Sequence, residues 1–394
     1  MDVNIELPEN VKYIISQLNQ RGFAAYAVGG CVRDSIMGRK PHDWDVCTSA
    51  LPEQMQDIFS GKKLVLAGVK HGTVGIIMSG EVYEATTFRV EGEYRDHRHP
   101  ESVRFVREVE GDLSRRDFTV NAMAYSEESG LIDLFGGAAD IKAGIIRCVG
   151  DPYKRFREDA LRMLRALRFA AVFGFLIHED TKKAVIELCG LLGDISQERK
   201  TAELRGMLKA EKPGALIREY SRVFEQVLGV PAEHIEKRAL TVDAAPPDFA
   251  LRIGILAAER AALERMKLSN AELAVAYAAA ENMDRQPPQT LPQMRRMVWQ
   301  LGSFTGPALD AMSAANDVSR AHELLNEIEQ RGLCCSVAQL DINGRELAAI
   351  GFKGVQIGKT LEALLLEVMD ESLQNDKRSL KARAIQMKKT RASV

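Results

Sequence analysis

Over the first ~145 residues, apolar positions come in short runs separated by glycines and polar turns; beyond them they recur at helical spacing. The runs 24–28, 44–48, 64–67, 73–78 and 82–88 are expected to be strands, the last two joined by Gly80-Glu81. Helices are expected at 11–21, leaving through Gly22, and at 32–38, behind Gly29-Gly30. Over 160–173, Leu161, Leu164, Leu167 and Ala171 share one helical face and arginines take the others. Beyond about residue 200, helix follows helix, with loops expected at 244–248 and 286–289, where Pro-Pro pairs interrupt the pattern. An α+β N-terminal part followed by an all-α C-terminal half is the fold class these patterns predict.

Composition adds little to that picture and removes several function classes. The 394 residues are 46% hydrophobic and 27% charged, ordinary for a globular chain of two or more domains. No run approaches the roughly 20 apolar residues that span a bilayer, and the acidic start MDVNIELPEN has no apolar core. Neither membrane nor secretory routing is expected. The six cysteines lack a paired spacing, so reduced thiols, a cytoplasmic setting and no zinc are expected. A net charge of −2 excludes a uniformly basic binder but not local patches. One such patch is Lys154, Arg155, Arg157, Arg162, Arg165 and Arg168; the other is the acid-free run 377–391. The bland reading of each is a solvated helix face, preferred for the C-terminal run. Gly358-Lys359-Thr360 is no P-loop, because only three residues separate Gly354 from Gly358.

The candidate chemistry lies in Gly29-Gly30-Cys-Val-Arg33-Asp34 and, nine residues on, Asp43-Trp-Asp45. A Gly-Gly pair between strand and helix lets backbone N–H groups approach a triphosphate. Asp43 and Asp45, at i and i+2, project to one face of a strand, and Glu84 on a later strand can supply a third carboxylate. Oxygen donors of this kind suit Mg²⁺, and a metal pair there would activate a hydroxyl and steady a leaving pyrophosphate. Either piece alone is weak, since Gly-Gly is commonly a turn and D-x-D a solvated strand end.

In this order and spacing the stretch resembles the nucleotidyltransferases related to DNA polymerase β. Within them it is similar to the bacterial-type (class II) tRNA CCA-adding enzymes and poly(A) polymerases. Arg115-Arg116-Asp117-Phe-Thr-Val-Asn121 resembles that family's ribose-sensing motif, and Glu158-Asp159-Ala-Leu-Arg162-Met-Leu-Arg165-Ala-Leu-Arg168 its nucleobase-selecting helix. Ile195-Ser196-Gln-Glu198-Arg199 is similar to a later structural motif. The resemblance implies a polymerase β-like catalytic head over 1–146, a helical neck over 147–210, a helical body over 211–310 and an RNA-binding helical tail over 311–394. It also implies template-independent addition of C, C and A to tRNA from CTP and ATP, with Mg²⁺ as cofactor.

The chemistry of base selection is consistent with that. Asp159 and Arg162, three apart on a helix, share a face. A carboxylate accepts from the exocyclic amine of C or A, and a guanidinium donates to the neighbouring ring atom; U and G present a carbonyl instead. The bland alternative is a surface salt bridge. Arg165 and Arg168 continue the face toward phosphates, and Arg116 is placed to do likewise from the sheet. Asp117 and Asn121 are candidates for the ribose hydroxyl, with a salt bridge that orients Arg116 an equal alternative for Asp117. The polar segment 88–101 is expected to be a mobile loop in which Asp96 and Arg98 help switch from C to A. In the family, enzymes that stop at CC lack an intact version of it. Poly(A) polymerase, an A-only or CC-only enzyme, and an inactive RNA-binding relative are the alternatives. The sequence leaves a homodimer open.

Overall fold

The computed structural model describes residues 4–92 and 103–392 and opens on an amphipathic helix, α1 (Glu9–Gln20). Its Val11, Ile14, Ile15 and Leu18 form the i, i+3, i+4, i+7 stripe that a sheet-covering helix requires. There follow β1 (Ala25–Val28), α2 (Gly30–Ile36), β2 (Asp45–Thr48), α3 (Pro52–Ile58), β3 (Lys63–Val65), β4 (Thr73–Met78) and β5 (Glu81–Thr87). Next come the ribbon strands β6 (Arg89–Glu91) and β7 (Val103–Phe105), α4 (Val109–Ser114), β8 (Ala124–Ser126), β9 (Gly130–Ile132) and α5 (Gly137–Ala143). The second helix begins two residues earlier than the sequence pattern predicts. Gly29 makes that possible by taking φ +83°, a conformation L side chains rarely adopt, which turns the chain straight from strand to helix.

Seven strands form one mixed sheet in the order β3-β4-β5-β2-β1-β8-β9. All neighbours are antiparallel except β2 and β5, whose parallel register sets Asp45 beside Glu84. One face is a continuous core in which α1 together with Met55 and Phe59 buries Ala25, Ala27, Val46, Val74, Ile76 and Ala85. The other face is covered only in part. There Val28, Cys47, Phe88 and Ala124 pack beneath Leu113 of α4, while Asp45 and Glu84 remain exposed. An alternating strand pattern with one sealed and one open face is what leaves charged side chains on a rigid surface.

After the sheet, α6 (Pro152–Glu158), α7 (Leu161–Phe173), α8 (Glu179–Leu188) and α9 (Gln197–Leu208) follow. Asp151 caps α6 by accepting from the Tyr153 amide at 2.9 Å, and Pro152 sits at the first helical position, where its missing N–H costs nothing. The chain divides into a unit ending at Glu236 and a unit beginning at Lys237. This division falls inside the segment expected over 211–310.

The second unit is helical throughout, with loops at 244–248 and 286–289 as expected. It holds two apolar clusters, one around Met294, Leu309 and Leu324 and one around Leu347, Leu364 and Leu380. The buried Arg295 donates to the carbonyls of Cys334 and Val368, which replaces lost water at a helix end. The basic run 377–391 is not a free cationic face: Lys377 pairs with Glu346 at 2.7 Å and Arg383 with Glu367 at 2.7 Å, while Lys388 donates to the Ile350 carbonyl. Among the described residues no helix is long and apolar enough to cross a membrane.

Candidate active site

The open sheet face carries the carboxylates. Asp45 and Glu84 are register partners on β2 and β5, and Asp43 precedes β2 close enough to act on Asp45. The Asp45 carboxyl is pushed above its ordinary value, first by desolvation and then by the Glu84 charge, with Arg116 opposing. Such crowding of negative charge on a solvent-open surface is what a hard cation would relieve. The neighbouring Cys31 is unsuited to be a ligand: its Sγ turns back to the carbonyls of Val28 and Asp45, and burial pushes its thiol up to about 11. Among the described residues no three His, Cys, Asp or Glu side chains close around a point as a metal cage. An open carboxylate pair is the usual donor set for a divalent ion shared with substrate phosphates, so the residues fit that use.

On the β1 and β8 side of Asp45 lies a cluster of polar and charged side chains. A Cβ added at Gly29 would stand 2.9 Å from Nη1 of Arg116, so the guanidinium lies against bare backbone. Arg116 is fixed from behind by Asp112, 1% exposed, which binds Arg116 at 3.0 Å and Arg115 at 2.7 Å. From α2, Arg33 donates to the Asn121 side-chain oxygen at 2.6 Å, and the Asn121 amide donates to Asp117 at 3.1 Å. Asp117 also accepts from Arg165 at 2.7 Å. It does not pair with Arg116, whose partner is Asp112. Burial would raise the Asp117 carboxyl, but Arg165, the Asn121 hydrogen bond and Arg162 outweigh it and hold the group at about 2. The cations are gathered around one ring, with Arg33, Arg165 and Arg168 at 5.3, 5.3 and 4.3 Å from the Phe169 centroid.

The expected base-reading pair is arranged differently from the sequence expectation. Asp159 is not on a helix shared with Arg162: it ends α6 with φ −141° and ψ 104°, and α7 starts beyond it. Its Oδ1 instead accepts from the Leu161 amide at 3.1 Å, the cap-type bond that short acidic side chains offer at a helix start. Its Oδ2 accepts from Arg199 of α9 at 3.1 Å. Arg162 donates to Glu158 at 2.7 Å and to the Arg115 carbonyl at 3.2 Å. Arg168 donates to Glu203 at 2.6 Å. Four of the six cations of the neck run thus face an acid: Arg155 and Arg162 share Glu158, Arg165 pairs with Asp117 and Arg168 with Glu203.

Residues 25–147 match the family model described as the poly A polymerase head domain, and 174–222 the one described as a probable RNA and SrmB-binding site of polymerase A. A CCA-adding enzyme of Geobacillus thermodenitrificans is 53% identical over 195 residues, about half of this chain (50%) and about half of that protein (48%). One from Limosilactobacillus fermentum is 36% identical over 94% of this chain and 95% of its own. The chain belongs to the family of CCA-adding enzymes. A solved structure of the Bacillus stearothermophilus CCA-adding enzyme in complex with CTP is 32% identical, covering 99% of this chain and 100% of that one, with a TM-score of 0.79. The α+β nucleotidyltransferase head and helical remainder expected from the sequence are thus the family's architecture.

Against this family background, the residues that sequence reasoning passed over are those that hold others. Asp112 was legible as an i, i+3, i+4 partner of Arg115 and Arg116. Arg199 belongs to the motif already noted at 195–199, but its partner Asp159, like the Arg168 partner of Glu203, lies 40 and 35 residues away and left no local signal. Asp96 and Arg98 lie outside the described residues.

Proposed function

We propose that the protein adds C, C and A to the 3′ end of tRNA from CTP and ATP without a nucleic-acid template, with Mg²⁺ on Asp43 and Asp45. The observation that carries the proposal is the register pair Asp45–Glu84 beside the place where the Gly29 turn and Arg116 meet. In this reading Gly29 and Gly30 bring backbone and Arg116 against the triphosphate. Asn121 and Asp117 face the ribose, held in place by Arg33 and Arg165. Arg168 lends charge from behind. Asp159 and Arg162 read the base edge, exchanging part of their present bonds to Arg199 and Glu158 for bonds to C or A.

The RNA 3′-hydroxyl attacks the α-phosphate in line. An oxygen–phosphorus bond forms there, the bond to the β-phosphate bridge breaks, pyrophosphate leaves, and the hydroxyl proton passes to the Asp45–Glu84 carboxylates. A bound Mg²⁺ supplies Lewis acidity to the hydroxyl and charge neutralisation to the leaving group. The six free thiols, five of them buried, support a cytoplasmic setting.

The test uses tRNA transcripts ending at the discriminator base, at C and at CC, each with one labelled nucleotide at a time. CTP entering the first two, ATP only the third, and then arrest is the expected result, abolished by a chelator and restored by Mg²⁺. Long A tails on any RNA would make the protein a poly(A) polymerase, and arrest at CC a CC-adding enzyme.

A further inference from the structure

The sheet face that carries Asp45 and Glu84 continues past them into β4 and β3, two strands whose side chains the mechanism does not use. The registers place one row across it: Asp45 on β2, Glu84 on β5, Gly75 on β4 and Val65 on β3. A second row, one pleat along, is Val82, Ile77 and Lys63. Side-chain alternation puts both rows on the open face, while Tyr83, Ala85, Val74 and Ile76 point into the sealed core. Val82 is 54% exposed and Val65 40% exposed, so two apolar side chains stand on the part of this face that is left uncovered. Between them Gly75 leaves the surface level: a Cβ there would stand 3.0 Å from Val82 Cγ1 and 3.1 Å from Val65 Cβ. The result is a small, flat apolar shelf directly beside the carboxylates, with exposed Lys63 at its rim.

What covers this shelf follows from the two sides of Asp45. The glycine turn, Arg116, Arg33, Asn121 and Asp117 lie on the β1 and β8 side, so the incoming nucleotide and its triphosphate take that side. The attacking hydroxyl must approach the same carboxylates from a different direction. Among the described residues the β5-β4-β3 side is open, and Val65 stands two strand spacings, about 10 Å, from Glu84. That is within the length of one nucleoside measured from its 3′-hydroxyl. Its surface is uncharged and level, as a base or ribose face requires, and it makes no base-edge contacts. A shelf without donors or acceptors also suits an enzyme that must accept different terminal nucleosides in turn.

We propose that the shelf of Val65, Gly75, Ile77 and Val82 seats the terminal nucleoside of the RNA primer, so that its 3′-hydroxyl reaches Asp45 and Glu84. The proposal rests on the nucleotidyltransferase reading above and deepens it. Val65 and Val82 are positioning residues: they touch the primer, not the reacting atoms.

The experiment compares the wild type with Val65→Thr, Val82→Thr and the double variant, which keep strand-forming shape and alter only surface polarity. Addition of A to a tRNA ending in CC is measured with tRNA and ATP varied separately. The double variant should raise KM for tRNA about fivefold or more, as expected for losing roughly one buried methyl per site, with kcat and KM for ATP within about twofold. The same tRNA lacking only its terminal base should lose a similar factor with wild type, and little more with the double variant, since the two changes remove one contact. An unchanged KM for tRNA in the folded double variant, or an undiminished penalty for the missing base, would overturn the proposal. Unchanged thermal midpoints show that the variants are folded. Failure of the underlying reading is distinct, because the wild type itself would then add no nucleotide.

Discussion

Arg199 of α9 donates to Oδ2 of Asp159 at 3.1 Å, joining the break between two helices to a third. Asp159 therefore presents its carboxylate from an extended residue, not from a helix face, and its direction depends on a partner 40 residues away. Because a good bidentate base contact is worth about 1–3 kcal/mol of discrimination, Asp159→Ala should cut the preference for CTP over UTP by about 10- to 100-fold. The check is single-nucleotide incorporation from each of the four triphosphates. Unaltered UTP and GTP rejection in the variant would remove Asp159 from base reading.

The Asp45 carboxyl is raised by desolvation and by Glu84. A folded-state value above the unfolded one means that the charged form is disfavoured in the native protein, so this group costs stability as pH rises through its folded value. Asp45→Asn should therefore abolish nucleotide addition while raising the thermal midpoint at neutral pH. The midpoint gain should vanish as pH falls below the ordinary aspartate value of about 3.9. Thermal unfolding across pH in metal-free buffer measures this, and a lowered midpoint at neutral pH would contradict the account.

The sheet and the carboxylate row were legible because their signals are local. Apolar runs and turn residues located β1, β2, β4 and β5, and D-x-D set Asp45 at the start of β2, although Asp43 lies ahead of the strand and not on it. The neck was only half legible. Apolar spacing located α7, but nothing in the run from Glu158 to Arg162 announces a chain break at Asp159, because its cause is a capping bond and an arginine on another helix. Charge counting likewise could not show how the basic runs are paired: acids reach them from Asp117, Glu203, Glu346 and Glu367, all distant in sequence.

Asp117 is held at about 2 against a buried setting. A depressed folded-state value contributes stability that is present above the unfolded value and is lost as pH falls through the folded one. The shift of nearly two units from 3.8 corresponds to about 2 kcal/mol. The wild type should lose about that much relative to Asp117→Asn between pH 4 and pH 2, and exceed it in stability at pH 7. Urea denaturation at a series of pH values checks the sign and the window. Parallel loss in both proteins would mean that the Arg165 pair contributes nothing net.

Gly29 combines two demands that a methyl group cannot meet. Its φ of +83° costs an L residue about 1 kcal/mol or more, and its absent Cβ is what lets Arg116 approach the backbone. Asp112 holds Arg116 from the far side through a 3.0 Å bond, so the guanidinium can yield only by weakening that buried pair. Gly29→Ala should therefore do two separable things. It should lower stability by about 1–3 kcal/mol in urea, and it should raise KM for CTP and ATP alike, because the triphosphate and not the base is displaced. KM for tRNA should stay near the wild-type value, since the primer side of Asp45 is untouched. A rise confined to one nucleotide would tie Gly29 to base recognition and count against its place beside the triphosphate.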